Sequence, residues 1–85
     1  MENKIDIQRE MLNEVIKSTI KRIKELQHQL ALEQEEYRIF KNYDDCSEFY
    51  REQVIKTEAA VAELINQKIS FEKWRKKLQY EEIPV

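Results

Sequence analysis

Four basic residues crowd one stretch of the chain: Lys17, Lys21, Arg22 and Lys24. Between the subunits of an assembly, such a cluster can line a pocket for a phosphate or nucleotide, with Trp74 stacking on a base. The simpler reading is the solvated face of a helix, and Glu25, four residues after Lys21, supports it. A second basic group, Lys73, Arg75, Lys76 and Lys77, surrounds Trp74 between Phe71 and Leu78. Basic residues interleaved with aromatics bind nucleic acid or anionic lipid. Here the acidic neighbours Glu72, Glu81 and Glu82 and a net charge of −2 weigh against nucleic acid. The simpler role is to complement a helix C-terminus and to lie near Glu10 and Glu14.

Other reactive types are sparse. One histidine, His28, and one cysteine, Cys46, make no zinc set. Cys46 has no base placed to activate it, and Asp44 and Asp45 oppose a lowered thiol pKa. Carboxylates abound, but no pair stands out as an acid and base couple. No catalytic residue, cofactor site or metal site is expected. Aromatics concentrate instead around the chain's midpoint: Tyr37, Phe40, Tyr43, Phe49 and Tyr50. They either close the end of a packed structure or present a partner-binding patch, for which Phe40, Tyr43, Phe49 and Tyr50 are the candidates.

The elements that carry these residues follow from composition and period. The 85 residues include no glycine, and the one proline is Pro84. Hairpin-rich β folds, phosphate-binding glycine loops and dinucleotide loops are thereby disfavoured together. Charged residues make up 38% and apolar residues 41%, which suits long solvated helices better than disorder. No apolar run reaches the roughly 18 residues of a membrane span, and no signal-peptide core is expected at the start. With one cysteine and no intrachain disulfide, a reducing, cytoplasmic setting fits best.

Steps of four and three residues join Leu12, Ile16, Thr19, Ile23, Leu26, Leu30, Glu33, Tyr37 and Phe40. Thr19 and Glu33 alone interrupt this heptad stripe. A second stripe runs through Tyr50, Val54, Thr57, Val61, Leu64, Lys68, Phe71, Arg75 and Leu78. The spacing predicts an all-α chain, a single helical-hairpin domain over residues 1–85. Its helices span about 4–42 and 46–80, with a turn near 42–45 and a tail at 81–85. A kink between Asn13 and Thr19 is the alternative for the first helix. Asn42 is the expected left-handed C-cap. Asp45 and Glu48 have the spacing of a capping box. Folding the chain at 43 and 44 sets numbers adding to about 87 opposite one another, so that Ile23 meets Leu64. It also brings Glu33, Glu35 and Glu36 near Arg51 and Lys56.

Each helix carries apolar residues beyond its seam. A chain this short, without disulfides or metal, needs oligomerisation to stabilise it. Val15, Ile20, Ile55, Ile65 and Ile69 are the expected oligomer interface, in a helical bundle or coiled coil built from antiparallel hairpins. Ile83 and Val85 in the tail could strap onto a neighbouring subunit. The leading functional expectation is a non-enzymatic interaction protein, a small accessory or inhibitor that binds itself and another protein. Next is an oligomer that sequesters an anionic small molecule, with Lys17, Lys21, Arg22, Lys24 and Trp74 as the anion-binding set. Nucleic-acid binding ranks third, and no membrane partner is expected.

Overall fold

Two helices account for almost all of the chain. In the computed structural model, which describes residues 4–43 and 45–81, α1 is Lys4–Phe40 and α2 is Ser47–Glu81. They pack antiparallel along their length as a helical hairpin, in a rod of 65 × 20 × 12 Å. At 1.5 Å per residue, 35 to 37 residues reach roughly 52 to 56 Å. α1 runs unbroken through Asn13 and Thr19, so the alternative of a break there, with a separate short N-terminal helix, is absent. Its interior has no glycine or proline to interrupt the ladder. No helix among the described residues is long and apolar enough to cross a membrane.

The seam follows the stripes read from spacing. Leu12, Ile16, Ile23 and Leu26 of α1 are buried, as are Val61 and Leu78 of α2. Leu30, Tyr37, Phe40, Tyr50, Val54, Leu64 and Phe71 continue it half-buried. Among the described residues no side chain is fully enclosed. A pair of helices buries one stripe on each and leaves every other face in water. Burial therefore fades towards both flanks.

Polar side chains in the seam find partners in two ways. The buried Thr19 hydroxyl donates to the Val15 carbonyl at 2.8 Å, within its own helix. Glu33 is buried and accepts from the Thr57 hydroxyl, 2.9 Å from Oε2, and from Gln29 Nε2 at 3.1 Å. Near the open end, Arg75 Nη1 donates to Asn13 Oδ1 at 2.9 Å across the hairpin. The two cross-hairpin pairs have numbers adding to 88 and 90. Both exceed the expected 87, because side chains lean towards the N-terminus of their own helix. In an antiparallel pair, touching side chains therefore come from residues whose backbones lie slightly past each other.

The turn differs from expectation. No non-glycine residue among those described has a positive φ, so Asn42 is not a left-handed cap. α1 closes instead with right-handed turns, Lys41 N–H to the Tyr37 carbonyl at 2.8 Å and Tyr43 N–H to that of Phe40 at 3.0 Å. The Tyr43 carbonyl then accepts from Cys46 N–H at 3.1 Å and Ser47 N–H at 3.0 Å. One backbone oxygen thus satisfies two donors at the start of α2. Cys46, not Asp45, is the residue whose carbonyl takes the first helical bond, from Tyr50 N–H at 3.2 Å. The expected role of Asp44 at this helix start lies outside the described residues, as does the tail with Ile83 and Val85.

The charges also settle differently. Ion pairs among the described residues join neighbours on one helix: Asp6 with Arg9, Glu14 with Lys17, Arg22 with Glu25, Glu35 with Arg38, and Lys68 with Glu72. Long side chains beside an open seam reach a partner one turn away at less entropic cost than one across the rod. Glu10 and Glu14, expected near Lys73 to Lys77, and Glu33, Glu35 and Glu36, expected near Arg51 and Lys56, form no ion pair across the hairpin among the described residues. α2 runs on to Glu81 and has no basic residue in its last turn. Lys73, Arg75, Lys76 and Lys77 therefore sit too far back to complement its dipole strongly.

Candidate functional site

The surfaces with most to offer are the apolar side chains left outside the seam. Turning 100° per residue, an α-helix sets Val15 and Ile20 about 140° apart, on opposite flanks of the stripe that contains Ile16 and Thr19. The five residues expected to share one interface therefore fall on two sides of the rod. Ile20, Ile55, Ile65 and Ile69 share one flank, with Ile55 and Ile69 exposed and Ile20 and Ile65 half-buried. Val15 belongs to the other.

Val15's flank is grooved at the open end of the hairpin. A cleft of about 340 Å³ is lined by Gln8, Met11, Leu12, Val15, Phe71 and Trp74. It continues into a second hollow of about 330 Å³ between Glu14, Val15, Ser18, Thr19, Arg22 and Leu64. Met11 is 63% exposed and Trp74 51%, high for side chains of this size in a helix that has a partner. The same flank reaches the tip: steps of four and three along α1 pass from Met11 and Val15 through Arg22 and Glu25 to Leu32 and Ile39. Along α2 the corresponding ladder joins Trp74 to Phe49. Leu32, Ile39 and Phe49 are all exposed.

The tip aromatics do come together. Phe40 stacks on Tyr50 with ring centroids 4.8 Å apart, Tyr43 tilts against Phe40 at 5.9 Å, and Phe49 meets Tyr50 edge-on at 5.3 Å. Phe40 and Tyr50 close the hairpin end, half-buried, while Tyr43 and Phe49 stand outside them, 61% and 58% exposed. The packing and docking readings thus apply to different rings. Replacing Tyr43 by alanine should change stability by no more than about 0.5 kcal/mol, as for an ordinary surface site. Phe40→Ala should cost more than about 1 kcal/mol through lost stacking and burial. Urea unfolding followed by circular dichroism checks both; equal losses would return Tyr43 to a packing role.

The anion-binding candidates are not assembled. Lys17, Lys21, Arg22 and Lys24 are exposed and point around the outer half of α1. Lys17 and Arg22 are paired with Glu14 and Glu25 at 3.7 and 3.4 Å. Trp74 sits in the Met11 cleft rather than beside the lysines. Lys41 and Arg51 instead meet Tyr37, Ser47 and Glu48 around a small polar hollow of about 210 Å³ at the tip. No signal in spacing marked that grouping, because the turn geometry decides it. Beside it, Arg38 reaches Glu35 with both arms of its fork. That hydrogen bond holds the Glu35 carboxyl below its ordinary pKa and raises that of Arg38. Both groups are fully solvated, so the pair is a surface feature. His28 is exposed on α1, Cys46 is half-buried at the tip, and no group of His, Cys, Asp and Glu among the described residues is placed to share a metal ion.

One seam feature was legible only in part. Glu33 interrupts the first stripe and Thr57 the second, and folding the chain sets them opposite each other; the buried link with Gln29 follows from that coincidence. Comparison with known proteins found no matching family model, no similar curated protein and no similar solved structure, so the two-helix rod and its apolar flanks stand on their own residues.

Proposed function

We propose that this chain is a non-enzymatic protein-interaction module, a helical hairpin that docks helices of its own copies and of another protein along its flanks. The observation that supports this reading is the pair of apolar flanks, with Met11, Val15 and Trp74 on one side and Ile55 and Ile69 on the other, each 41% or more exposed. Apolar side chains grouped along one helical flank, rather than scattered singly, mark surfaces that another protein covers. A module of this kind scaffolds its partner or blocks it by occupying the same groove, as small accessory and inhibitor proteins do. The single cysteine suits work in the cytoplasm.

Native mass spectrometry of freshly purified protein tests the reading. The expected spectrum shows integer multiples of 10.4 kDa without added mass. An adduct of several hundred daltons, lost on denaturation, would replace this reading with small-molecule sequestration.

A further inference from the structure

We infer that the Met11 flank is where a second copy of this chain docks, with the two rods antiparallel, so that the tip of each lies on the open end of the other. The inference rests on the interaction reading and names the partner for one of its two surfaces.

The first argument is area. A compact monomer of 10.4 kDa exposes roughly 5,400 Å² by the usual scaling. This chain exposes 6975 Å², an excess of about 1,600 Å². Permanent homodimers bury roughly 1,000 to 2,500 Å² per subunit. The excess is therefore of the size that one close-fitting copy removes, and pairing two hairpins gives a four-helix bundle.

The second argument is charge, and it selects both the occupant and its direction. The hairpin gathers residues 23–43 and 45–63 into its tip half, which carries five basic and nine acidic side chains, a net charge of −4. Residues 4–22 and 64–79 bring ten basic and four acidic side chains to the open half, a net charge of +6. The centres of the two halves lie farther apart than the roughly 8 Å Debye length at physiological salt, so each half acts as its own charge. Parallel docking would set like on like at both ends. Antiparallel docking sets −4 against +6 twice. It also spaces apart the two buried Glu33 carboxylates, which parallel rods would hold at one height.

The apolar ladder agrees with that direction. On α1 the exposed apolar residues lie at both ends of the flank, with Arg22 and Glu25 between them. Laying α1 antiparallel on its counterpart sets Val15 near Leu32 of the second copy and Met11 near Ile39 of the second copy. Arg22 then comes opposite Glu25 of the second copy. One symmetric arrangement thus satisfies greasy ends and charged middle together. The opposite flank, with Ile20, Ile55, Ile65 and Ile69, stays open in this dimer for the other protein.

Cys46, the single cysteine, sits at the tip and provides the probe. Spin labels on Cys46 of the full chain, read by pulsed dipolar spectroscopy, should lie roughly 55 Å apart in the antiparallel dimer at 1.5 Å per residue. Parallel rods would put them within about 25 Å. Met11→Glu with Ile39→Glu should raise the dimer dissociation constant by at least about 30-fold, measured by light scattering after size exclusion. Ile55→Glu with Ile69→Glu on the opposite flank should leave it unchanged. Raising salt from 50 to 500 mM should weaken the wild-type dimer, since opposite charges face each other. If the Met11 variant unfolds as it separates, helicity falls with mass, and an opposite-flank variant that keeps both still assigns the surface. A short label distance, or dissociation by the opposite-flank variant alone, overturns the arrangement. A wild-type monomer at 100 µM overturns self-docking while the interaction reading survives, because only a retained small molecule removes that.

Discussion

Glu33→Leu raises the stability of this protein, by about 1 to 4 kcal/mol, whereas Thr57→Val, which removes the other end of the same hydrogen bond, lowers it by about 1 to 3 kcal/mol. The opposite signs follow from what each deletion leaves behind. Glu33 is 9% exposed, and no described cation pairs with it; it is held by Thr57 and Gln29 alone. Removing the carboxylate ends a desolvation cost and puts a branched apolar side chain into an apolar seam. The Thr57 hydroxyl left over can turn to a carbonyl one turn back, as Thr19 does to Val15. Removing the hydroxyl instead leaves a buried carboxylate with Gln29 as its one remaining donor. Urea unfolding of both variants at one fixed protein concentration measures the contrast, the concentration being held because assembly adds to apparent stability. Two losses of similar size would mean that Glu33 is repaid by its surroundings more fully than two neutral donors can manage. The gain in Glu33→Leu also has a cost in specificity: a polar layer in an apolar seam fixes register.

Ile16→Ala has an effect of similar size and a plainer cause. Ile16 is 4% exposed, among the most buried side chains in the hairpin. Truncation of an isoleucine in a packed core costs about 2 to 5 kcal/mol. The better helix propensity of alanine returns only a few tenths of a kcal/mol. Here the cost should sit near 3 kcal/mol: water reaches the flanks of so thin a seam, so part of the void is relieved by solvent, yet no second layer can collapse into it. Ile55→Ala, at a position 51% exposed, should cost less than about 1 kcal/mol in the same assay. Equal effects would show that Ile55 is as deeply covered in the assembled state as Ile16 is in the single hairpin.

These contrasts trace what the sequence made legible. Period alone places the seam, since a side chain at 3.6-residue spacing has one direction to face; the residues from Leu12 to Phe40 and Tyr50 to Leu78 are buried or half-buried as read. The turn was not legible in the same way. Asn42 was a reasonable left-handed cap for a chain without glycine, but a single carbonyl on Tyr43 could cap α2 from a right-handed backbone, and no residue type announces a backbone oxygen. Cross-hairpin charge pairing failed for a related reason. Opposition in register says that two charges are near, while the length of lysine and glutamate lets each prefer a neighbour one turn along. For the candidate site, the aromatics at the tip were found because a turn forces sequence neighbours together. Val15 and Ile20 lie on opposite flanks of the hairpin because five residues of a helix carry a side chain more than a third of the way round. The lysines and Trp74, expected to meet between subunits, lie apart within one hairpin.

The antiparallel hairpin also has a mechanical consequence. The first residue of α1 and the last of α2 leave the rod at the same end, about one helix diameter apart. Tension applied between them does not stretch the rod. It peels the two helices apart one seam layer at a time, each step giving up a few apolar contacts, so the hairpin opens like a zipper under low, nearly constant force. Tension applied from that end to the Tyr43 turn runs along a helix axis, is carried by backbone hydrogen bonds and leaves the seam closed. The same molecule is therefore compliant along one line of pull and stiff along the other, and how a partner grips it decides which of the two is felt.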